Sequence, residues 1–286
     1  MNVVITGASG FIGTRLTQLL REKGHQVEGV DVRKPGWETK VENADGVVNL
    51  AGEPLFGKRW DTLVKAEIYD SRVNTTRKVV EAMGRGQKKS PKSRVLVSGS
   101  AVGFYGPTND ETLTESAPAG ADFLAFVCRE WEAEAHKAQL QHGVRTVILR
   151  TGIVLGKDGG AMKQLLPPFK LGIGGQIGSG MQWMSWIHVD DICGLINHAL
   201  TQESVKGPLN GSAPNPVRNK DFTKTLGAVL SRPTLIPIPG FGLYLLFGES
   251  SHILTTGQKV VPEAAIQTGY RFKYSALNDA LIAALK

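Results

Sequence analysis

The stretch Thr6-Gly7-Ala8-Ser9-Gly10-Phe11-Ile12-Gly13 decides the fold. It follows Val3-Val4-Ile5, a short β-branched run that reads as a buried parallel strand. It leads into Phe11, Ile12, Leu16, Leu19 and Leu20, spaced along one face of a helix, with Gly24 as the C-cap. Gly7, Gly10 and Gly13 give the spacing G-x-x-G-x-x-G. In a strand-turn-helix the first glycine permits a sharp turn and the second a close backbone approach to a pyrophosphate. The third lets the helix pack on the strand, and the helix N-terminus favours the anion. A glycine triplet alone is weak evidence; between this strand and this helix it predicts a dinucleotide-binding loop.

Working outward, Val27–Val32, Val47–Leu50, Val95–Val97 and Val144–Leu149 read as further strands. Helical patterns at about 60–84 and at Phe123–Leu140 alternate with them. The alternation predicts an α/β Rossmann fold, a doubly wound parallel sheet with right-handed crossovers. Beyond about 155 the rhythm loosens into helical signals near 161–171, 190–201, 219–230 and 275–285. We therefore expect a Rossmann domain at 1–155, its sheet completed by later segments, and a smaller C-terminal α/β substrate domain at 156–286.

Composition narrows the function classes. The 286 residues are 41% hydrophobic and 21% charged, which excludes wholesale disorder. The 34 glycines follow no G-X-Y period, which excludes collagen. Cys128 and Cys193 form neither a disulfide framework nor a metal knuckle and read as small buried hydrophobes. His25, His136, His142, His198 and His252 show no ligand spacing, so no metal is expected. The N-terminus carries no signal-peptide pattern, and a cytoplasmic protein is expected. The apolar run Leu235–Phe247 is broken by Pro237, Pro239, Gly240 and Gly242, so no transmembrane helix is expected. Net charge is +7, but Arg85, Lys88, Lys89, Lys92 and Arg94 crowd into one segment that reads as a solvated loop. Without those five the balance is 28 basic to 26 acidic, and no nucleic-acid motif is present, so nucleic acid is not an expected partner.

At the end of the second strand two signals oppose each other. Asp31, 18 residues past Gly13, suits the ribose hydroxyls of NAD(H). Arg33 and Lys34 suit the 2′-phosphate of NADP(H), or read as a solvated basic loop.

The phosphate loop, Asn49-Leu50-Ala51-Gly52, Ser98-Gly99-Ser100 and Tyr105-Gly106 together resemble the extended short-chain dehydrogenase/reductases, relatives of the sugar-nucleotide epimerases. Narrower matches are Ser71-Arg72, Cys128-Arg129-Glu130-Trp131-Glu132, Arg150 to Gly156, Ser185 to Asp191, Asn210 to Pro214 and Gly257 to Val260. These resemble the epimerase-like YfcH/SulA-type family over nearly the whole chain. The resemblance implies bound NADP(H), with Gly7, Ser9, Gly10, Phe11, Ile12 and Gly13 at the pyrophosphate and Arg33 near the 2′-phosphate. It also implies Leu50, Ala51 and Gly52 on the adenine-ribose side, Glu67, Arg72 and Ser98 on the cofactor side, and Val154 by the nicotinamide. Asp31 departs from the small polar residue expected for NADP. A homodimer through the helices near 60–84 and 121–140 is a superfamily expectation.

The superfamily's chemistry uses Tyr-x-x-x-Lys, in which the ammonium lowers the phenol's pKa. Four residues after Tyr69, Tyr105, Tyr244, Tyr270 and Tyr274 stand Val73, Asn109, Gly248, Tyr274 and Asn278, and none is lysine. In the helix where the pair belongs, Leu124 and Cys128 take its places. Ser100 holds the position of the substrate-orienting hydroxyl, and Tyr105 in the following loop is the candidate acid; the bland readings are a strand-end hydroxyl and a packed loop tyrosine. His188, Asp190 and Asp191 resemble an acid–base cluster, but Asp190 also reads as a helix cap. Trp183 and Trp186 around Met184 read equally as lining for a flat or apolar substrate or as core. The expected function is an NADP(H)-dependent, epimerase-like oxidoreductase on a small organic substrate. The rival is a division-related nucleotide-binding regulator or scaffold without turnover.

Overall fold

Strand alternation decides which helices cover which face. In β1 (Asn2–Thr6) Val3 and Ile5 point one way and Val4 the other, and all three are buried. Such a strand belongs in the middle of a sheet covered on both sides. The computed structural model describes residues 1–86, 94–157 and 159–285.

After β1 come α1 (Phe11–Glu22), β2 (Gln26–Val30), α2 (Glu38–Glu42), β3 (Gly46–Asn49), α3 (Thr62–Asp70) and α4 (Val73–Arg85). Next are β4 (Val95–Ala101), a 3₁₀ turn (Val102–Tyr105), β5 (Thr112–Leu113), α5 (Phe123–His142), β6 (Arg145–Thr151), β7 (Ile153–Leu155) and α6 (Gly160–Lys170). They are followed by β8 (Trp183–Met184), β9 (Trp186–His188), α7 (Val189–Thr201), β10 (Gly207–Gly211), β11 (Val217–Arg218) and α8 (Asn219–Leu230). The chain closes with α9 (Gly240–Phe247), a 3₁₀ turn (Gly248–Ser251), α10 (His252–Thr255), β12 (Lys259–Val260), α11 (Glu263–Gln267) and α12 (Leu277–Leu285).

Six strands form one parallel sheet in the order β2-β1-β3-β4-β6-β10. The order reverses at β1, and the crevice beyond the carboxyl ends of β1 and β3 is where such a sheet binds ligands. Leu16 and Leu20 of α1 and Ile192 and Ile196 of α7 cover the Val3–Ile5 face. Val79, Val80 and Met83 of α4 and Ala135 and Ala138 of α5 cover the other. The sixth strand, β10, comes from beyond residue 155. A second core joins α6, α8, α12 and Trp186, which is fully buried. This resolves one expectation: Trp186 is core.

The pattern at 60–84 becomes two helices. Ser71 Oγ turns back to the Ile68 carbonyl, Arg72 donates to the same carbonyl, and the chain bends between α3 and α4. In α5 both ends are set locally: Asp122 accepts from the Ala125 N–H at 2.8 Å, and Gly143 ends the helix at φ +65°. Both cysteines are free and buried, and burial pushes each thiol up to about 12. Among the described residues no helix is long and apolar enough to cross a membrane. Lys88, Lys89 and Lys92 of the basic segment lie outside the described residues.

Candidate functional site

The phosphate loop is built by close backbone contact. Gly7 sits at φ +69°, and a Cβ there would lie 2.8 Å from the Leu50 carbonyl oxygen. A Cβ on Gly13 would run into the Gly7 carbonyl, so α1 packs on the strand only with glycine there. Gly10 N-caps α1 without a side-chain bond, and the first turn carries no acid. The helix therefore turns its positive end and first-turn N–H groups toward the crevice. Buried Thr6 donates to Asn49 Oδ1 at 2.6 Å, and Asn49 donates to Thr76 at 2.8 Å. The Ala51 N–H reaches Thr6 Oγ1 at 3.3 Å, which holds Leu50, Ala51 and Gly52 beside the loop. Ser9 stands exposed in the turn, and Ile12 packs into the core under α7. A second glycine-rich loop went unrecognised in the sequence: side chains on Gly156, Gly159 or Gly160 would strike the ring of Phe11.

At the end of β2 the opposed signals turn out to be partners. Arg33 donates to Asp31 Oδ1 from Nε at 2.9 Å and from its backbone N–H at 3.1 Å. This holds the Asp31 carboxyl below its ordinary range. Beside the pair lies a cavity of about 420 Å³ whose lining includes Arg33, Lys34, Trp37, Lys78 and Arg85. Glu67 on α3 is engaged by Lys58 at 2.6 Å. Arg72 donates to the Glu53 carbonyl at 2.9 Å, and Gly52 leaves room for its guanidinium. Burial pulls the Arg72 pKa down, and its guanidinium lies 5.5 Å from the Trp131 ring. The Trp131 indole N–H is buried and has no partner among the described residues.

The end of β4 carries a buried polar chain. Ser100 Oγ donates to Glu132 Oε1 at 2.6 Å. Arg150 meets the same carboxylate with Nε at 2.9 Å and Nη2 at 2.8 Å. Its Nη1 donates to the Tyr105 hydroxyl at 3.0 Å, and that hydroxyl donates to Asn210 Oδ1 at 2.7 Å. Asn210 in turn donates to the Val261 carbonyl. Every direction is fixed, because arginine only donates and a carboxylate only accepts. Tyr105 is 3% exposed, and burial raises its phenol pKa against the opposing pull of Arg150. The guanidinium also stacks 3.5 Å from the Phe104 ring. Glu132 and Arg150 lie within the matched motifs, yet sequence reasoning gave them no role. The available signal was an acid and a base on otherwise buried faces of α5 and β6.

The remaining candidates fall elsewhere. Ser98 is buried inside β4, and Val154 lies in β7, paired with Ile187 of β9. His188, rather than Asp190, caps α7: its Nδ1 accepts the Asp190 N–H at 3.1 Å. Asp190 instead binds Arg15 at 2.8 Å and Lys273 at 3.0 Å. Asp191 takes the backbone N–H groups of Lys273 and Tyr274. These contacts clasp the C-terminal segment to α1 and α7. Trp183 is half-buried, with its N–H on Asp110 and Arg218 over its ring. No cluster of metal-ligating side chains occurs among the described residues.

The glycine cradle, the uncapped helix N-terminus and the unpartnered indole N–H fit a dinucleotide laid across the switch point. The model of the NAD-dependent epimerase/dehydratase family matches residues 3–210, and a domain of unknown function, DUF1731, matches 238–284. The Arabidopsis thaliana epimerase family protein SDR39U1 homolog, chloroplastic, is 44% identical, with all of this chain and 87% of that protein covered. The crystal structure of human epimerase family protein SDR39U1 (isoform2) with NADPH superposes with TM-score 0.90 at 37% identity, covering 100% and 99% of the two chains. The UDP-glucuronic acid 4-epimerase of Bacillus cereus, in complex with UDP-glucuronic acid and NAD, shares the fold at TM-score 0.79 and 18% identity, covering 100% and 98%. The chain belongs to the NAD-dependent epimerase/dehydratase family.

Proposed function

We propose that this chain is an NADP(H)-binding, epimerase-like oxidoreductase acting on a small organic molecule at the carboxyl edge of its sheet. The observation that carries the reading is the cradle: Gly7 and Gly13 are packed so tightly that only glycine serves there, under a helix end left open to an anion. The NADPH bound by the human relative supports the same cofactor here. Gly7, Ser9, Gly10, Phe11, Ile12 and Gly13 hold the pyrophosphate, and Leu50, Ala51, Gly52, Glu67 and Arg72 the adenosine side. Arg33 leaves Asp31 to meet the 2′-phosphate, because an exposed ion pair is weak. Ser98 and Val154 back the nicotinamide end. When bound, the cofactor supplies hydride exchange.

Ser100 is the residue that meets substrate. Its proton is committed to Glu132, so it turns lone pairs toward the ligand and accepts from a hydroxyl. Tyr105 orders this hydroxyl through Arg150. Residues 1–155 with β10 form the cofactor half, and the small C-terminal domain shapes the substrate side.

A non-catalytic NADP(H)-binding regulator is the second reading. The absence of the tyrosine–lysine pair and the double engagement of the Tyr105 hydroxyl favour it. Titration with NADPH and NADH, following energy transfer from tryptophan, tests the cofactor: tight NADPH and weak NADH binding is expected, and binding of neither sinks the proposal. A carbonyl and alcohol screen with the wild type and Ser100→Ala then separates the two readings, since a regulator shows no serine-dependent turnover.

A further inference from the structure

The cavity of about 420 Å³ at the end of β2 is a cleft between two elements. One wall is the turn after β2, which carries Arg33 and Lys34. The other is α4, which contributes Lys78, Glu81 and Arg85. A shared core holds the walls together: Trp37 and Val41 on the first side pack in one cluster with Val79, Val80 and Met83 of α4. Trp37 is 4% exposed and anchors the turn, and the Lys34 N–H closes it on the Asp31 carbonyl at 3.1 Å. The volume falls within the range of ligand sites, about 300–1,000 Å³.

The charges around the cleft are unequally engaged. Arg33 is held by Asp31 at 2.9 Å and Arg85 by Glu42 at 2.8 Å. Arg77, next to Lys78, turns instead to Glu134 of α5 at 2.8 Å. Lys34 lies in the field of the Asp31 carboxylate. Lys78 has neither an ion pair nor a hydrogen-bond partner among the described residues. Its backbone is nonetheless fixed, because the next residue, Val79, is fully buried. Glu38 and Glu81 also line the cleft, so four cations face two carboxylates there, and the balance favours an anion.

We infer that this cleft seats the 2′-phosphate of NADP(H), and that Lys78 of α4 is its second cation, a determinant of cofactor specificity outside the β2 turn. The inference rests on the NADP(H) reading and adds the α4 side to that site. Arg33 brings a planar fork from one wall, and Lys78 a point charge from the other. The phosphate draws Arg33 from Asp31 because an exposed ion pair is weak. The 2′-hydroxyl of NADH carries no charge for either cation to meet.

The test titrates the full chain with NADPH and NADH, and with 2′,5′-ADP and 5′-AMP as probes of the adenosine end alone. Lys78→Met is expected to weaken NADPH and 2′,5′-ADP about tenfold, the worth of one charge-assisted hydrogen bond, and to leave NADH and 5′-AMP unchanged. Lys78→Arg is expected to keep the preference. Added salt is expected to narrow the gap between wild type and Lys78→Met. Lys40→Met removes a charge from α2 that pairs with Glu28 outside the cleft, and it is expected to be silent. Lys78 is exposed, so its variants are expected to keep the wild-type urea midpoint. Equal losses for all four probes from Lys78→Met make the lysine structural and overturn the inference. A matching loss from Lys40→Met assigns the effect to net charge and overturns it likewise. A silent Lys78→Met, in a protein that still prefers NADPH, overturns the inference alone and leaves the cofactor reading in place. A wild type that prefers NADH removes the cofactor reading and the inference with it.

Discussion

Arg150 grips the Glu132 carboxylate with two parallel hydrogen bonds, 2.9 and 2.8 Å, where both side chains are almost sealed from water. A buried pair stands only if each member satisfies the other. Glu132→Gln or Arg150→Met alone is expected to cost about 3–5 kcal/mol, since each strands a buried charge. The double variant is expected to be more stable than either single one. Urea denaturation of the wild type and the three variants checks this, and additive losses count against a coupled pair.

Gly13→Val is expected to cost about 1–3 kcal/mol by overpacking, because its side chain meets the Gly7 carbonyl and the Ala8 backbone. It is also expected to remove NADPH binding, since α1 must shift away from the crevice. Urea denaturation reads the stability cost, and calorimetric titration of the folded variant with NADPH reads the loss of binding.

The cradle was legible because its demand is local: a turn and a close approach need glycine at fixed spacing, and strand and helix patterns flank it. The sheet was legible for a similar reason, since Val3, Ile5, Val47 and Val95 announce strands covered on both faces. The polar chain was not legible. Ser100, Glu132, Arg150 and Asn210 come from four separate elements, and only sheet order brings them together. The break at Ser71-Arg72 was hidden because side chains turning onto backbone carbonyls do not disturb helical periodicity. Asp31 and Arg33 carry opposed signals in the sequence because their pairing with each other is visible only in three dimensions.

Arg33→Ser is expected to weaken NADPH roughly tenfold and leave NADH nearly unchanged, because only the former loses a cationic partner for its 2′-phosphate. Asp31→Asn is expected to favour NADPH by releasing Arg33. Equal losses for both cofactors from Arg33→Ser place the guanidinium away from the 2′-phosphate.

Tyr105→Phe is expected to leave NADPH affinity unchanged while lowering any serine-dependent turnover, because the hydroxyl links Arg150 to Asn210 rather than touching the cofactor loop. It removes one donor and one acceptor from a buried chain, with an expected cost of about 1–3 kcal/mol. A pH profile distinguishes the roles. Loss of a limb in the variant marks the phenol as the titrating acid; a uniform fall marks it as a positioning residue.

His188 ties stability to pH. Burial is the main cause that lowers its pKa to about 4, and Lys273 and Arg15 add to this while Asp190 opposes it. The neutral ring is what the fold uses: Nδ1 accepts from the Asp190 N–H, and the ring lies 4.2 Å from that of Tyr274. The unfolded chain binds its proton near pH 6.5 and the folded chain only near 4. Between those values the unfolded state therefore holds more protons, and stability falls as pH falls. This contribution is intact above pH 6.5 and declines through the window, by about 3 kcal/mol in all. Urea midpoints measured from pH 7 to pH 4 are expected to drop steeply in the wild type. In His188→Gln the slope is expected to be shallower, with lower stability at pH 7 from the lost cap. An unchanged slope in that variant assigns the acid sensitivity to other groups.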